Sequence, residues 1–307
     1  MEESGKRVLI VGGTGFVGEA VRAAARDAGC TVKLVVRTSE DARRYEAQGF
    51  ETEYGDVQDP QSLFVALEGI DAVINLVAII KESGDATFER INYQGTVNLV
   101  NAMRQASVDR LVQMSALGAG NLPDFPYHYT KWRAETYVQD HIPAWTIIRP
   151  SIIFGPSREG HFQFVGQLAD LIRGGPVVPV PGKGEALFQP IHVDDVAAVY
   201  CAALDNNDTI ERVLEIAGPE VLTYRQMLDI VAAELGRRKP MVNVPVPLIR
   251  VGARVLDALP MFEAPVTNEQ LDMLQIDNTT DDNAAPELLG RQPKPFRENL
   301  GFLHADR

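Results

Sequence analysis

Val8-Leu9-Ile10-Val11-Gly12-Gly13-Thr14-Gly15-Phe16-Val17-Gly18 runs from four apolar residues straight into a cluster of glycines. The helical pattern Glu19-Ala20-Val21-Arg22-Ala23-Ala24-Ala25 follows, so the whole reads as a buried parallel strand that turns tightly into a helix. That arrangement predicts a phosphate-binding turn. Gly12 supplies the tight turn, Gly15 lets backbone approach a pyrophosphate, and Gly18 lets helix pack closely on strand. An anion placed there meets the free N–H groups of the helix start, around Thr14, Phe16 and Val17, and the positive end of the macrodipole. A glycine pattern alone is weak; the strand before it and the helix after it supply the context that makes a nucleotide the expected ligand.

The rest of the composition narrows the class. At 307 residues, with 45% hydrophobic and 23% charged residues, the chain has the make-up of an ordinary globular protein of one or two domains. A formal net charge of −13 argues against nucleic acid as a partner, since a phosphate backbone calls for clustered Lys and Arg. Cys30 and Cys201 lie far apart in apolar surroundings, with neither metal-ligand spacing nor a disulfide framework, so they are expected to act as small apolar residues and no metal site is expected. Met1-Glu2-Glu3-Ser4-Gly5-Lys6 begins with acids and leads directly into the first strand, so no signal peptide is expected. The longest apolar run, from Ala72 to Ile80, contains Asn75 and is too short to cross a bilayer. A cytoplasmic location is the expectation.

Thr31-Val32-Lys33-Leu34-Val35-Val36 reads as a second strand, and its end is where cofactor choice is written. An acid there hydrogen-bonds a ribose 2′-hydroxyl, whereas an arginine accommodates a 2′-phosphate. Arg37 occupies the place, with Arg43 and Arg44 on the next helix, so NADP(H) is favoured over NAD(H); Glu40 and Asp41 keep the NAD reading open. Glu51 to Tyr54 forms a third strand leading into Gly55-Asp56-Val57. Ala72 to Ala78 is a near-continuous apolar strand, of the kind buried on both faces, whose C-terminal end at Val77 and Ala78 faces the cofactor. A long helix from about Phe88 to Ser107 and a strand from Arg110 to Ser115 continue the alternation. Strands and helices in this rhythm predict right-handed crossovers and an α/β, doubly wound parallel sheet.

Ser115 ends that fifth strand, and Tyr127-His128-Tyr129-Thr130-Lys131 opens a helix after a loop rich in Gly and Pro. Residues four apart share a helical face, so Lys131 stands near the phenol of Tyr127. A nearby ammonium favours phenolate and is expected to lower the tyrosine pKa toward a value useful for proton transfer. Ser115 is placed to hydrogen-bond the same substrate oxygen. Tyr129, offset by two residues, points away from that face.

Gly12-x-x-Gly15-x-x-Gly18, the serine ending the fifth strand, Tyr127-x-x-x-Lys131, Arg149-Pro150 and His192-Val193-Asp194-Asp195-Val196-Ala197 together resemble the short-chain dehydrogenase/reductase superfamily in its extended or atypical branches. The resemblance spans about two-thirds of the chain. Within that superfamily it is most similar to the group that includes the NADPH-binding accessory subunit of respiratory complex I and its bacterial relatives. It implies a Rossmann sheet, Asp56 with Val57 at the adenine, Val77 and Ala78 on the nicotinamide side, and Pro150 and Ile152 in the cofactor-binding set. It implies Ser115, Tyr127 and Lys131 as the catalytic residues, with Lys131 also holding the nicotinamide ribose, and Asn92 behind the site. Leu76-Val77-Ala78 lacks the glycine common there in the classical enzymes of the superfamily. Relatives near the complex I subunit often use the cofactor structurally, having lost catalytic residues that this sequence retains.

The expected division is a nucleotide-binding domain over residues 1–155 and 190–217 and a small substrate-facing lobe over 156–189 and 218–307. In the loop Ser157-Arg158-Glu159-Gly160-His161, Arg158 and His161 are candidate ligand contacts, although solvated loop residues are the plainer account. Pro176 to Pro181 with Gly182-Lys183-Gly184 reads as a hairpin or extended segment, His192 as a structural histidine, and Thr223 with Gln226 as a capping box. Val244 to Phe262, with Arg250 and Arg254, reads as a packed helix, with docking on a membrane or a protein complex as the alternative. The expected activity is hydride transfer between NADP(H) and a carbonyl or alcohol carbon of a small molecule, in a monomer or homodimer. The alternatives are a non-catalytic NADPH-binding sensor, assembly factor or respiratory-complex subunit, and an NAD-dependent sugar-nucleotide epimerase or dehydratase.

Overall fold

The computed structural model describes residues 5–157, 159–161, 163–249 and 276–304. Strand β1 (Arg7–Val11) is buried over its last four residues on both faces, which is why that run holds no polar residue. Helix α1 (Phe16–Asp27), β2 (Thr31–Val36), α2 (Ser39–Glu46), β3 (Glu51–Tyr54), α3 (Pro60–Ala66) and β4 (Ala72–Asn75) follow in alternation. Next come α4 (Gly95–Ala106), β5 (Arg110–Met114), α5 (Pro126–His141), β6 (Ala144–Pro150), the short β7 (Ile153–Phe154), α6 (Phe164–Arg173) and β8 (Val178–Pro181). The described chain continues through β9 (Leu187–Phe188), β10 (Ile191–His192), α7 (Val193–Asp205), β11 (Arg212–Ile216), β12 (Leu222–Thr223), α8 (Tyr224–Glu234), β13 (Met241–Val244) and α9 (Ala285–Leu289).

Seven strands form one sheet in the order β11-β6-β5-β4-β1-β2-β3, every neighbouring pair parallel. This is the doubly wound Rossmann arrangement. Ile10 pairs with Leu34 on one side and Ile74 on the other, so the strand order reverses at β1 and a crevice opens at the C-terminal ends of β1 and β4. The residues that border it are the glycine turn and Leu76 to Ala78.

Alternation along the strands divides the core. Val8 and Ile10 face α1, α2 and α7, packing with Val21, Ala25, Tyr45, Val196 and Tyr200. Leu9 and Val11 face the opposite layer, packing with Leu63, Leu99, Met103 and Val138 of α3, α4 and α5. A third cluster gathers α6, β8 and α8 around Leu168, Ile172, Val180 and Met227. Thr223 caps α8 as anticipated: its hydroxyl accepts from the Gln226 N–H while the Gln226 side chain accepts from the Thr223 N–H.

The long helix anticipated over residues 88–107 is interrupted. Glu89 to Gln94 form a π-helical turn before α4 begins, and the extra residue turns Asn92 toward the loop after β4. There its amide oxygen accepts from Ile79 N–H at 2.8 Å and its amide nitrogen donates to Ile79 carbonyl at 3.1 Å. Residues 178–181 form a strand parallel to β13, the extended form of the two anticipated for that segment, not a hairpin.

The polar stretch from Asn278 onward is an integral part of the fold. Asn278 Oδ1 accepts from Ile152 N–H at 2.7 Å, and Asn283 both accepts from and donates to the backbone of Ala217. Ala285 then enters the first core, while Phe296, Leu300 and Leu303 enter the third. Fully buried Asp195 ties this segment to α7 through Arg291 and the Lys294 N–H. The portion of the apolar run beyond Ile249, with Arg250 and Arg254, lies outside the described residues, as do Arg158 and Phe162. Among the described residues no helix is long and apolar enough to cross a membrane.

Candidate functional site

Gly12 adopts φ +83°, a conformation that L side chains rarely take, and a Cβ there would meet the Leu76 carbonyl carbon and Val77 nitrogen at 3.0 Å. The turn after β1 and the loop after β4 therefore touch. A Cβ on Gly18 would stand 2.3 Å from Gly12 oxygen, so the third glycine is what lets α1 seat on its strand. Gly15 differs: the nearest protein atom to its would-be Cβ is Gly12 oxygen at 3.7 Å. It caps α1 with extended backbone, and among the described residues no side chain covers the first-turn N–H groups of Phe16, Val17 and Gly18. Thr14 is half-buried beside it. Open glycine, uncapped helix and partial positive charge fit a phosphate group.

Arg37 follows β2 and is exposed, as is Arg43. Asp41 is engaged locally: Thr38 Oγ1 accepts from its N–H at 3.0 Å and donates to its carboxylate at 2.7 Å, capping α2. Asp56 caps its own turn through Gln58 N–H at 2.8 Å, and Val57 packs against Gly95 while its carbonyl accepts from Asn98. Val77 N–H is held by Asn75 Oδ1 at 3.2 Å, and Ala78 is half-buried at the crevice wall. Pro150 is buried and its carbonyl accepts from Leu117, whereas the Ile152 N–H belongs to Asn278.

Ser115 follows β5 directly, and Tyr127 and Lys131 lie four residues apart on α5. Lys131 is 1% exposed, and its ammonium donates to Met114 carbonyl at 2.6 Å, one peptide unit before Ser115. That carbonyl also accepts from Gln113 Nε2 at 3.0 Å; Gln113 Oε1 in turn accepts from Asn75 Nδ2 at 2.9 Å. One chain of polar contacts thus runs from Val77 through Asn75 and Gln113 to Lys131. Ser115 is 2% exposed and its N–H bonds Ile148 carbonyl at 2.7 Å, yet among the described residues its hydroxyl has no hydrogen-bond partner. Tyr127 packs edge-on against Phe88 and His128, with ring centroids 5.8 and 5.2 Å away. Tyr129 stacks on Trp132, off the shared face, as its offset predicts.

One expectation is overturned here. Lys131 was expected to pull the Tyr127 pKa down, but burial pushes that phenol up to about 12, and no charge on Lys131 counters it. The reason lies on both partners: Tyr127 is walled by aromatic rings, and the Lys131 ammonium is turned toward Met114. Burial brings Lys131 itself down to about 8, with Glu135 opposing the fall.

Sequence reading missed several of these groups. Asn75 and Gln113 signal themselves only as amides in otherwise apolar strands. Glu159 is a second case: its carboxylate pairs with Arg22, accepts from Tyr45 hydroxyl at 2.9 Å and stands 3.2 Å from His161 Nε2. Arg22 also donates to Gly13 carbonyl at 2.6 Å, so the loop before α6 is fastened to the back of the glycine turn. Glu19, Glu159 and His161 come within 4.8 Å of one another, but Arg22 and Arg44 already supply the positive charge at Glu159. His192 is structural in this fold: its Nδ1 accepts from Asp194 N–H at 3.2 Å and caps α7. Cys30 and Cys201 are free thiols, half-buried against the first core rather than wholly inside it.

The NAD dependent epimerase/dehydratase family model matches residues 8–217. The chain is 25% identical, over 258 residues, to the 40 kDa subunit of mitochondrial NADH-ubiquinone oxidoreductase from Neurospora crassa, covering 82% of this chain and 66% of that subunit. It is 28% identical, over 232 residues, to NAD(P)H azoreductase from Xenophilus azovorans, covering 75% of this chain and 74% of that enzyme. The UDP-glucose 4-epimerase of Thermus thermophilus, solved in complex with NAD, is alike in fold, with a TM-score of 0.71, 22% identity and 97% coverage of both chains.

Proposed function

This chain belongs to the NAD dependent epimerase/dehydratase family, and we propose that within it the protein is an NADP(H)-dependent oxidoreductase acting on a carbonyl or alcohol carbon. The observation that carries the reading is Ser115: a buried hydroxyl with no partner among the described residues, one position after the carbonyl that a buried ammonium grips, is costly unless a ligand oxygen completes it. When bound, the nicotinamide supplies or accepts a hydride. Gly12, Gly15 and Gly18 with the α1 N-terminus hold the pyrophosphate, Asp56 and Val57 border the adenine, and Val77, Ala78, Pro150 and Ile152 line the nicotinamide side. Arg37 meets the 2′-phosphate, a role supported by its exposure and by Asp41 being committed to its own cap.

Tyr127, with its pKa near 12, keeps its proton at neutral pH and so acts first as an acid, donating to the substrate oxygen during carbonyl reduction. Ser115 donates to the same oxygen as negative charge develops there, and Lys131 provides fixed positive charge close by. Helices α6 and α8 with β8 and β13, gathered around the third core, form the lobe that shapes the substrate side. A second reading, a non-catalytic NADPH-binding subunit or assembly factor, draws support from the likeness to the Neurospora subunit.

Titration of the purified protein with NADPH and NADH tests the first assignment. NADPH binds at least about tenfold tighter, a difference of about 1.4 kcal/mol, and Arg37→Ala removes the preference. Equal binding, or an NADH preference untouched by the substitution, overturns it. Carbonyl reduction abolished in Tyr127→Phe supports the enzyme; tight binding without turnover, indifferent to that substitution, supports the subunit.

A further inference from the structure

Helix α5 carries Lys131 and Glu135 four residues apart, hence on one face. Both are buried, Glu135 at 2% exposure, although charged groups of these types are almost never buried without a partner. Glu135 has its partner in β6: Arg149 Nε donates to one carboxylate oxygen at 2.8 Å and Nη2 to the other at 2.6 Å. Arg149 Nη1 lies 3.6 Å from Glu215 of β11, and Glu215 accepts from Thr280 Oγ1 at 2.6 Å. Charges of alternating sign therefore extend from Lys131 through Glu135 and Arg149 to Glu215, ending on the segment that closes the fold. Lys131 has a carbonyl, not a carboxylate, as its hydrogen-bond partner.

We propose that Glu135, gripped by Arg149, is a positioning residue that acts as the through-space counter-ion of Lys131, keeping the buried ammonium charged and setting the pH at which its proton leaves. Among the described residues, Lys131 meets the Met114 carbonyl from β5; on its own helix Tyr127 lies one turn before it and the carboxylate of Glu135 one turn after it, with Arg149 and Glu215 behind Glu135. Burial works against the ammonium, and the charge that opposes burial is that of Glu135. The fork to Arg149 does two things: it locks the carboxylate's position and, being itself cationic, it moderates the carboxylate's pull on Lys131. Glu135 thus tunes Lys131 without touching substrate. The catalytic meaning of that tuning rests on the oxidoreductase reading above, but the ion row does not.

The test is an NMR titration of protein labelled with 13C at lysine Cε, the Lys131 signal being assigned by its loss in Lys131→Met. In Glu135→Gln the Lys131 midpoint falls by about one unit, and Glu135→Asp restores most of the fall. Should Glu135→Gln fail to fold because Arg149 is left unpaired, the double variant Glu135→Gln with Arg149→Gln removes both charges together, and the midpoint still falls, by less. An unchanged midpoint in a folded variant lacking Glu135 overturns the proposal. A shifted midpoint in a protein that turns over no carbonyl substrate leaves the proposal standing and defeats the oxidoreductase reading instead.

Discussion

Ser115→Ala separates stability from chemistry at a single atom. The buried hydroxyl has no partner among the described residues, so removing it is expected to raise stability by about 1 kcal/mol, while carbonyl reduction falls about a hundredfold through loss of a donor to the developing oxyanion. Chemical denaturation and steady-state kinetics on the same preparation check both. Lys131 makes the same trade with pH. Its pKa drops from 10.5 in the unfolded chain to about 8 in the fold, so between those values the unfolded chain holds more protons and stability rises with pH. Below about 8 the penalty is complete. Lys131→Met is therefore more stable at neutral pH, by something on the order of 3 kcal/mol, and the gain fades as pH climbs toward 10.5; a gain equal at both ends would refute the account. Tyr127 and Lys131 were legible because helical spacing is local. The direction of the tyrosine shift was not, because Phe88 lies 39 positions away in the chain and its ring contact exists only after folding.

At the level of elements, two of the three glycines make distinguishable predictions. Gly18→Ala drives a methyl into backbone at 2.3 Å, so it destabilises the fold and binding is lost with it. Gly15→Ala meets nothing closer than 3.7 Å, so the melting temperature stays nearly unchanged while dinucleotide affinity falls at least about tenfold, since the methyl occupies the open side of the helix start. Thermal melts paired with cofactor titrations decide between them; equal behaviour of the two variants would contradict the separate roles. The strand, turn and helix of this unit were readable because apolar run, glycine and periodic pattern agree. The π-helical turn before α4 was not, since one added residue scarcely disturbs a 3.6-residue pattern, and Asn92 discloses it only through its paired bonds to Ile79.

For the whole molecule, alternation of strands and helices foretold the parallel sheet, and the β1–β4 crevice follows from its order. The polar C-terminal stretch gave no such sign. Its grip consists of single amides on distant backbone, Asn278 on Ile152 and Asn283 on Ala217, and isolated side chains have no periodicity to read. Asn283→Ala is expected to cost about 1–3 kcal/mol, because Ala217 loses partners for both its N–H and its carbonyl; urea denaturation measures it, and a loss below a few tenths would show the segment to be peripheral. That segment also dictates a schedule. Residues 276–304 leave the ribosome after every strand of the sheet, yet they furnish Ala285 to one core and Phe296 to another. A nascent chain still lacking them carries open seams in both places, so the two cores close only once this segment has emerged, and until then the chain is a natural client for chaperones.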